Sequence, residues 1–274
     1  MPATQKEKAE QFRKLHEGPC FVMPNPWDVG SAKLLAGMGF PALATSSAAS
    51  AAAIGRPDHG LTRDQALAHS RTIVDATGLP VSADLENGFG DDPEAVAETV
   101  RRAAEAGLVG CTIEDSTGNS AQPLYDFSLA VERISAGAAA AQALGFPFQL
   151  TARTHNLLFP GGQLEETVRR LQAFEKAGAS VLFAPALPEL AAVERICGSL
   201  TKPFNFMVGI PGKSFSVAEL AAAGVRRISL ATSLYRAAMS GFLDAVCEVQ
   251  DRGTFTFLDR SLKSTGEIVA LMEN

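Results

Sequence analysis

One unit repeats along most of the chain: a short apolar run, an Ala-rich amphipathic stretch, and a glycine before the next apolar run. Glycine just past a helix end is a common left-handed stop signal, so each unit is typical of a strand followed by a helix. The predicted strands are residues 20–23, 42–46, 81–85, 111–114, 148–153, 181–184, 204–208 and 227–231. Seven of the eight segments end in such a glycine, and the sixth helix is the exception, since it ends at LTKPF (200–204). The glycines are Gly18, Gly39, Gly78, Gly107, Gly145, Gly178 and Gly224.

The count of these units predicts the fold class. Apolar runs with little polar alternation indicate a parallel sheet covered by helices. Eight units in about 250 residues are typical of an α/β fold of the (β/α)8 TIM-barrel type, whereas the alternative, a doubly wound open sheet, requires no eightfold count. No low-complexity linker interrupts residues 1–274, which predicts a single domain. Helical patterns at 232–251 and 257–272 follow the last strand, and the second is one helix more than a closed barrel needs. A neighbouring subunit is one surface on which that extra helix could pack.

Charge and composition exclude several classes of protein. The chain has 24 Lys and Arg against 30 Asp and Glu, a formal net charge of −6, which argues against a nucleic-acid partner. It has no apolar run of the roughly 18 residues that a spanning helix needs, so no membrane partner is expected. The charged N-terminal stretch has no apolar signal core, which predicts a cytoplasmic protein. The four cysteines form no CxxC pair, so we expect small buried thiols rather than a zinc site.

Three carboxylates end two neighbouring predicted strands, where the active site of such a barrel lies. Asp84 and Glu86 are two residues apart and point to the same side, and Glu114 ends the next strand. Three like charges in a small volume are costly unless a cation neutralises them. We expect no histidine among them, and oxygen ligands favour Mg²⁺ or Mn²⁺ over zinc. A single acid at such a junction could instead cap a helix, which is our interpretation of Asp115 and Asp28.

Other polar residues are predicted to lie close to these acids. Arg153 ends the fifth strand, where its guanidinium could balance the acids or grip a substrate carboxylate with its bidentate fork. Ser46 and Ser47 end the second strand, and their main-chain N–H groups could help to hold an anion.

Six motifs carry a family resemblance over residues 20–240. PNPWDVGSAKLL, TSSAA, GRPDHGL, ADLENGFG, TIED and ARTHN resemble, in order and spacing, the isocitrate lyase/phosphoenolpyruvate mutase superfamily. The resemblance implies a (β/α)8 barrel that is commonly a tetramer with its last helices exchanged between subunits. We therefore expect a homo-oligomer, either a dimer or a tetramer. It also implies Mg²⁺-dependent making or breaking of C–C or C–P bonds in small 2-oxo or 2-hydroxy acids.

The resemblance assigns metal-binding roles to the acids. Asp84 resembles the direct metal ligand of the family, which also contacts the substrate. Glu86 and Glu114 resemble the acids that hold metal-bound waters.

It assigns substrate-binding and catalytic roles to four further residues. Ser46 and Ser47 match the turn that binds the carboxylate and oxo oxygens of the substrate. Arg153 is similar to the arginine that binds the substrate carboxylate. Asp58 matches the loop aspartate that lies near the reacting bond, and we predict that it is catalytic together with Arg153.

One loop departs from the family pattern. Isocitrate and methylisocitrate lyases carry Lys-Lys-Cys-Gly after the fourth strand, whereas this chain has STGNSAQPLYDF at 116–127. Asn119 could match an asparagine of the mutase pattern, but the lysine of that pattern is absent, and Ser47 replaces a usual glycine. These departures favour decarboxylation, hydrolysis or retro-aldol cleavage of an oxaloacetate-like 2-oxo acid, with Asp58, or else His155 or Tyr125, managing protons. The alternatives are a phosphonopyruvate-type mutase or hydrolase and, in another class, a non-catalytic paralogue that binds a 2-oxo acid.

Overall fold

Eight parallel strands form a nearly closed barrel, as predicted. The computed structural model describes residues 3–212, 215–260 and 264–273. The strand order is β1-β8-β7-β6-β5-β4-β3-β2. The strands are β1 Phe21–Met23, β2 Leu43–Ala44, β3 Val81–Asp84, β4 Gly110–Glu114, β5 Gln149–Arg153, β6 Val181–Phe183, β7 Phe204–Met207 and β8 Arg227–Ser229. The N–H of Ala44 donates to the carbonyl of Pro24 at 3.0 Å and joins the first two strands.

Helices surround this barrel and alternate with its strands. The described α-helices are α1 Gln5–Glu17, α2 Val29–Gly37, α3 Ser47–Ala53, α4 Arg63–Ala76, α5 Pro93–Glu105, α6 Phe127–Gln142, α7 Leu164–Lys176, α8 Leu190–Ser199, α9 Val217–Ala222, α10 Ser233–Arg252 and α11 Thr265–Met272. Gly107 follows α5 with a φ of 86°, as the stop signal predicts. Gly18 follows α1 with a φ of −87°, so the left-handed stop was wrong there.

The helices α5 and α6 pack closely against each other on the outside of the barrel, next to the strands that carry the acids. Pro93 begins α5, and its Val96 and Val100 are fully buried. Gly137 of α6 lies against this face, because a Cβ there would come within 3.0 Å of Cγ1 of Val96. The connection that carries Glu86 runs from the end of β3 to the start of α5.

A buried arginine lies near the N-terminal ends of the strands. Arg227 is 1% exposed; its Nε donates to Oδ1 of Asn205 at 2.7 Å and its Nη2 to Oγ1 of Thr151 at 3.0 Å. Its Nη1 lies 3.2 Å from Nε2 of His16 in α1. Nδ1 of His16 lies 2.8 Å from the carbonyl of Phe12, so the neutral ring donates there and accepts from the arginine. Burial, followed by the charge of Arg227, lowers the pKa of His16 to about 3.

Acid should destabilise the protein through His16. A histidine whose folded-state pKa lies below its ordinary value of 6.5 stabilises the fold above that pH, and this contribution is lost as the pH falls towards 3. The limiting slope is about 1.4 kcal/mol per pH unit. His16→Gln keeps an acceptor for Arg227 but cannot be protonated, so its free energy of unfolding in urea should fall less steeply between about pH 6.5 and pH 4.5. Equal slopes for the variant and the wild type would contradict this assignment.

The region after the barrel differs from the two predicted helices. The first pattern is α10, as predicted, whereas the second contains a 3-10 helix at Thr256–Arg260 and then α11. The predicted helix over 257–272 falls in part on 261–263, which lie outside the described residues. α11 packs on α2 of its own chain, and a Cβ on Gly37 would lie 1.8 Å from the carbonyl oxygen of Leu271.

Apolar side chains remain exposed on the outside of the barrel. Phe242, Leu243 and Val249 of α10 are exposed, and an apolar patch of this kind favours contact with another protein surface. The homo-oligomer stays a prediction, which a measurement of the molar mass in solution would test. Cys111 is buried but Cys247 is exposed, so the expectation of buried thiols is wrong for Cys247. None of the helices within the described ranges has both the length and the apolar character to cross a membrane.

Candidate active site

The three predicted acids lie at the C-terminal end of the barrel. Asp84 ends β3, and its Oδ2 lies 3.4 Å from the main-chain N and 3.3 Å from the hydroxyl of Ser47, the first residue of α3. Glu114 ends β4 with its side chain only 4% exposed. Glu86 follows β3 in the left-handed region, with a φ of 51°. Adjacent parallel strands and one short connection thus deliver all three carboxylates to one end of the barrel.

Arg153 lies between two of these acids. Its Nη1 is 3.8 Å from Oδ2 of Asp84 and its Nε is 3.6 Å from Oε2 of Glu114. Its Cζ lies 4.7 Å above the ring of Phe183. Both carboxylate distances exceed those of hydrogen bonds, and within the described residues the buried Nε has no hydrogen-bond partner. The guanidinium therefore neutralises the acids while its hydrogen-bonding fork stays free for a ligand.

Two histidines contact the acid cluster, so the expectation that no histidine lies there is wrong. Nδ1 of His59 is 3.0 Å from Oε2 of Glu86. Nε2 of His155 is 2.9 Å from Oε2 of Glu114, but it is poorly aligned and makes no hydrogen bond within the parts of the chain described. The sequence did hold a signal for both residues, since each stands within two positions of a predicted site residue, Asp58 or Arg153.

The acids respond differently to this environment. Burial, reinforced by Glu114 and opposed by Arg153, raises the pKa of Asp84. Burial also raises the pKa of Glu86, to about 7, against the contact with His59. Burial would raise the pKa of Glu114, but Arg153 and His155 more than offset it and hold this pKa at about 2. Burial thus opposes the charged forms of Asp84 and Glu86, and a bound cation would offset that penalty.

The donor set of the cluster fits a hard divalent cation. Carboxylate oxygens are the ligands that Mg²⁺ and Mn²⁺ prefer. Across the described ranges, no three Asp, Glu, His or Cys side chains already converge closely enough to hold one ion. The same residues could hold an ion if one acid bound it directly and the others bound it through water. The family resemblance implies that Asp84 is the direct ligand and that Glu86 and Glu114 hold metal-bound waters.

Two adjoining cavities open beside the acids. One, of about 200 Å³, is lined by Ser46, Ser47, Asp84 and Arg153, and Asp58 lies at its edge. The second, of about 410 Å³, shares Ser47, Asp58 and Arg153 with the first; its walls also include Glu114, His59, His155 and Asn119. The side chain of Asp58 is 47% exposed, on the connection between α3 and α4. The predicted substrate-binding residues thus face one small polar space.

Two other residues have structural roles instead of those predicted. Asp115 accepts hydrogen bonds from the main-chain N of His155 at 2.8 Å and from Nη1 of Arg170 at 3.1 Å, so its prediction as a helix cap is wrong. Asp28 does cap α2, as predicted, and accepts from the N–H of Ser31 at 2.7 Å. The hydroxyl of Tyr125 donates to Oδ1 of Asp91 at 2.6 Å, and burial, followed by that bond, raises the pKa of Tyr125 to about 12. Tyr125 is therefore a poor candidate for moving protons.

Comparison with known proteins identifies the family. The sequence profile of the phosphoenolpyruvate phosphomutase family matches residues 12–250. The chain belongs to the isocitrate lyase/phosphoenolpyruvate mutase superfamily. It is therefore an enzyme of a superfamily of lyases and mutases, as the sequence predicted.

Individual members of the superfamily resemble the chain over most of its length. The crystal structure of a Burkholderia cenocepacia protein, provisionally named a lyase/mutase, is 47% identical with a TM-score of 0.95, covering 98% of this chain and 97% of that one. The 2-methylisocitrate lyase of Escherichia coli is 32% identical over 68% of this chain and 65% of its own length. An oxaloacetate decarboxylase of Paraburkholderia xenovorans is 28% identical over 89% of this chain and 82% of its own length.

Proposed function

We propose that the protein is a Mg²⁺- or Mn²⁺-dependent carbon–carbon lyase that acts on a small 2-oxo acid of the oxaloacetate type. The observation that carries this proposal is the free fork of Arg153. A guanidinium whose buried Nε makes no hydrogen bond within the described part of the chain, and which lines a cavity of about 200 Å³ beside the acids, suits a small ligand that brings a carboxylate. The similarity to an oxaloacetate decarboxylase supports this substrate class.

In this proposal each residue of the site has a distinct task. Arg153 binds and orients the substrate carboxylate through two parallel hydrogen bonds, and the turn at Ser46 and Ser47 contacts the substrate's carboxylate and oxo oxygens. Asp84 holds the metal, with Glu86 and Glu114 acting through water. The metal, when bound, would polarise the substrate carbonyl as a Lewis acid.

In this proposal, residues at the edge of the site transfer protons. Asp58 lies at the edge of both cavities, where it can accept or return a proton near the reacting bond. His155, on the wall of the second cavity, is the alternative that remains once Tyr125 is excluded.

The loop after β4 limits which bonds can be broken. Residues 116–124 contain no Lys, Arg, His, Cys, Asp or Glu. Ser116 and Leu124 pair in an antiparallel bridge, and Gly118 and Asn119 line the second cavity. Neutral hydroxyl and amide groups are poor acids near pH 7. A fragment that leaves as a carbanion and needs a proton on this side would find no donor in the loop, whereas CO₂ leaves without one.

The enzyme should therefore prefer an oxaloacetate-like acid to isocitrate or methylisocitrate. A missing general acid typically reduces the rate by about 10²- to 10⁴-fold. We expect turnover of oxaloacetate with Mg²⁺ and little or no cleavage of the two tricarboxylates, measured as kcat/KM over a panel of 2-oxo and 2-hydroxy acids. Efficient isocitrate cleavage by the wild-type protein would contradict the interpretation of this loop.

The same panel tests the alternatives. The family profile that matches is that of a phosphomutase, which keeps a phosphonopyruvate-type mutase or hydrolase as the second candidate. Turnover of phosphonopyruvate above that of oxaloacetate would favour it. Tight binding of a 2-oxo acid without turnover of any compound would instead identify a non-catalytic binding protein.

A further inference from the structure

The connection that carries Asp58 is largely detached from the barrel. Residues 54–59 are exposed. Most hydrogen bonds of residues 54–60 close locally: the N–H of Arg56 donates to the carbonyl of Ala51, the N–H of Gly60 donates to that of Pro57, and Nη1 of Arg56 donates to Oε1 of Gln65. Such bonds shape the turn but do not fix its position over the site.

One hydrogen bond joins this turn to the acid cluster. Within the described residues, the bond between Nδ1 of His59 and Oε2 of Glu86, at 3.0 Å, is the one from 54–60 that reaches beyond residues 51–65. His59 also donates its main-chain N–H to Oδ1 of Asp58 at 3.0 Å. The same residue thus contacts the barrel through its ring and the predicted catalytic aspartate through its backbone.

Both ends of this contact have unusual backbone conformations. His59 has a φ of 59° and Glu86 a φ of 51°, and neither is a glycine. Left-handed conformations of such residues persist where the surrounding structure imposes them, and they cluster at functional sites. The contact between two such residues therefore indicates that the two loops are held in a specific relative position.

We propose that His59 is a positioning residue: its bond to Glu86 docks residues 54–60 on the mouth of the barrel and thereby places Asp58 beside the reacting bond. The inference rests on the proposed function, since it assumes that Asp58 acts on a substrate held by Arg153. In this view His59 touches neither substrate nor metal and acts on the rate only through Asp58.

Two substitutions distinguish the effect of the His59 side chain from that of its left-handed backbone conformation. Asparagine and glycine both adopt a left-handed φ readily, so neither adds backbone strain at this position. In His59→Asn the amide Nδ2 can take the place of Nδ1 and donate to Glu86, whereas His59→Gly has no donor. The difference between the two variants therefore measures the docking bond.

The docking itself is tested by hydrogen–deuterium exchange on the metal-free protein. We expect exchange in residues 54–60 to rise about tenfold in His59→Gly and in Glu86→Ala, to rise no further in the double variant, and to stay within about threefold of the wild type in His59→Asn. Unchanged exchange in Glu86→Ala, or additive increases in the double variant, would overturn the docking.

The effect on Asp58 is tested by steady-state kinetics with Mg²⁺. A displaced catalytic group can lower the rate by about 10²-fold, so His59→Gly should lose about that factor in kcat with little change in KM, and His59→Asn should recover most of it. In an Asp58→Ala background, His59→Gly should cause no further loss. A further loss as large as that in the wild type would overturn the positioning role. Absence of any turnover by the wild type would instead defeat the proposed function, and the exchange experiment would still decide the docking.

Discussion

Replacing Asp84 with asparagine should abolish metal-dependent turnover and lower kcat/KM by about 10³-fold or more. Asp84 ends β3 and lines the same cavity as Arg153. The family resemblance implies that it is the direct metal ligand. A catalytic metal contributes several kcal/mol of charge stabilisation in the transition state, at about 1.4 kcal/mol for each factor of ten. The same variant should lose Mn²⁺ binding in calorimetric titrations, whereas Glu86→Gln, which changes an acid proposed to act through water, should only weaken it.

The matched control is Asp75→Asn. Asp75 is an exposed carboxylate on α4 that pairs with Arg71 at 2.9 Å, so its loss removes one negative charge far from the cavity. Activity of this variant should equal that of the wild type. Treatment of the wild type with excess EDTA should stop turnover, and added Mg²⁺ or Mn²⁺ should restore it. Full activity in EDTA would show that the acid cluster serves another purpose.

The sequence predicted the barrel well because each of its signals is local. Apolar runs of strand length and helices that end at glycine need no knowledge of distant contacts, and each predicted strand lies within two residues of the observed one at either end. Asp84, Glu114 and Arg153 followed from the same logic, since parallel strands deliver their C-terminal residues to one end of the barrel.

The errors concern contacts between residues far apart in the chain. His59 reaches Glu86 across 27 positions because the turn that carries it folds back over the mouth. Asp115 stands at a strand end like a helix cap, yet its partner Arg170 is 55 positions away. Pairings of this kind depend on the assembled fold, and neither spacing nor periodicity in one sequence encodes them.

The central position of Arg153 explains how the acids can lie together before any metal binds. Its guanidinium is within 4 Å of two of them, and its side chain is only 13% exposed, so the attraction is weakly screened. A substrate carboxylate that takes the free fork of Arg153 would compete with the acids for the guanidinium charge, so we expect a bound cation to favour substrate binding, and bound substrate to favour cation binding.

Arg153→Lys should be nearly as harmful as Arg153→Ala. Loss of one desolvated charged contact costs about 2–5 kcal/mol, which corresponds to a fall in kcat/KM of about 30-fold to 5,000-fold. Lysine keeps the positive charge between Asp84 and Glu114 but lacks the two parallel N–H donors that match a carboxylate, so the variant separates the fork from the charge. Arg169→Lys is the matched control, because Arg169 is an exposed residue of α7 paired with Glu166 at 2.7 Å. Unchanged KM and kcat in Arg153→Lys would refute the role of this arginine in substrate binding, whereas a large loss in Arg153→Ala with near-normal Arg153→Lys would show that its charge alone is needed.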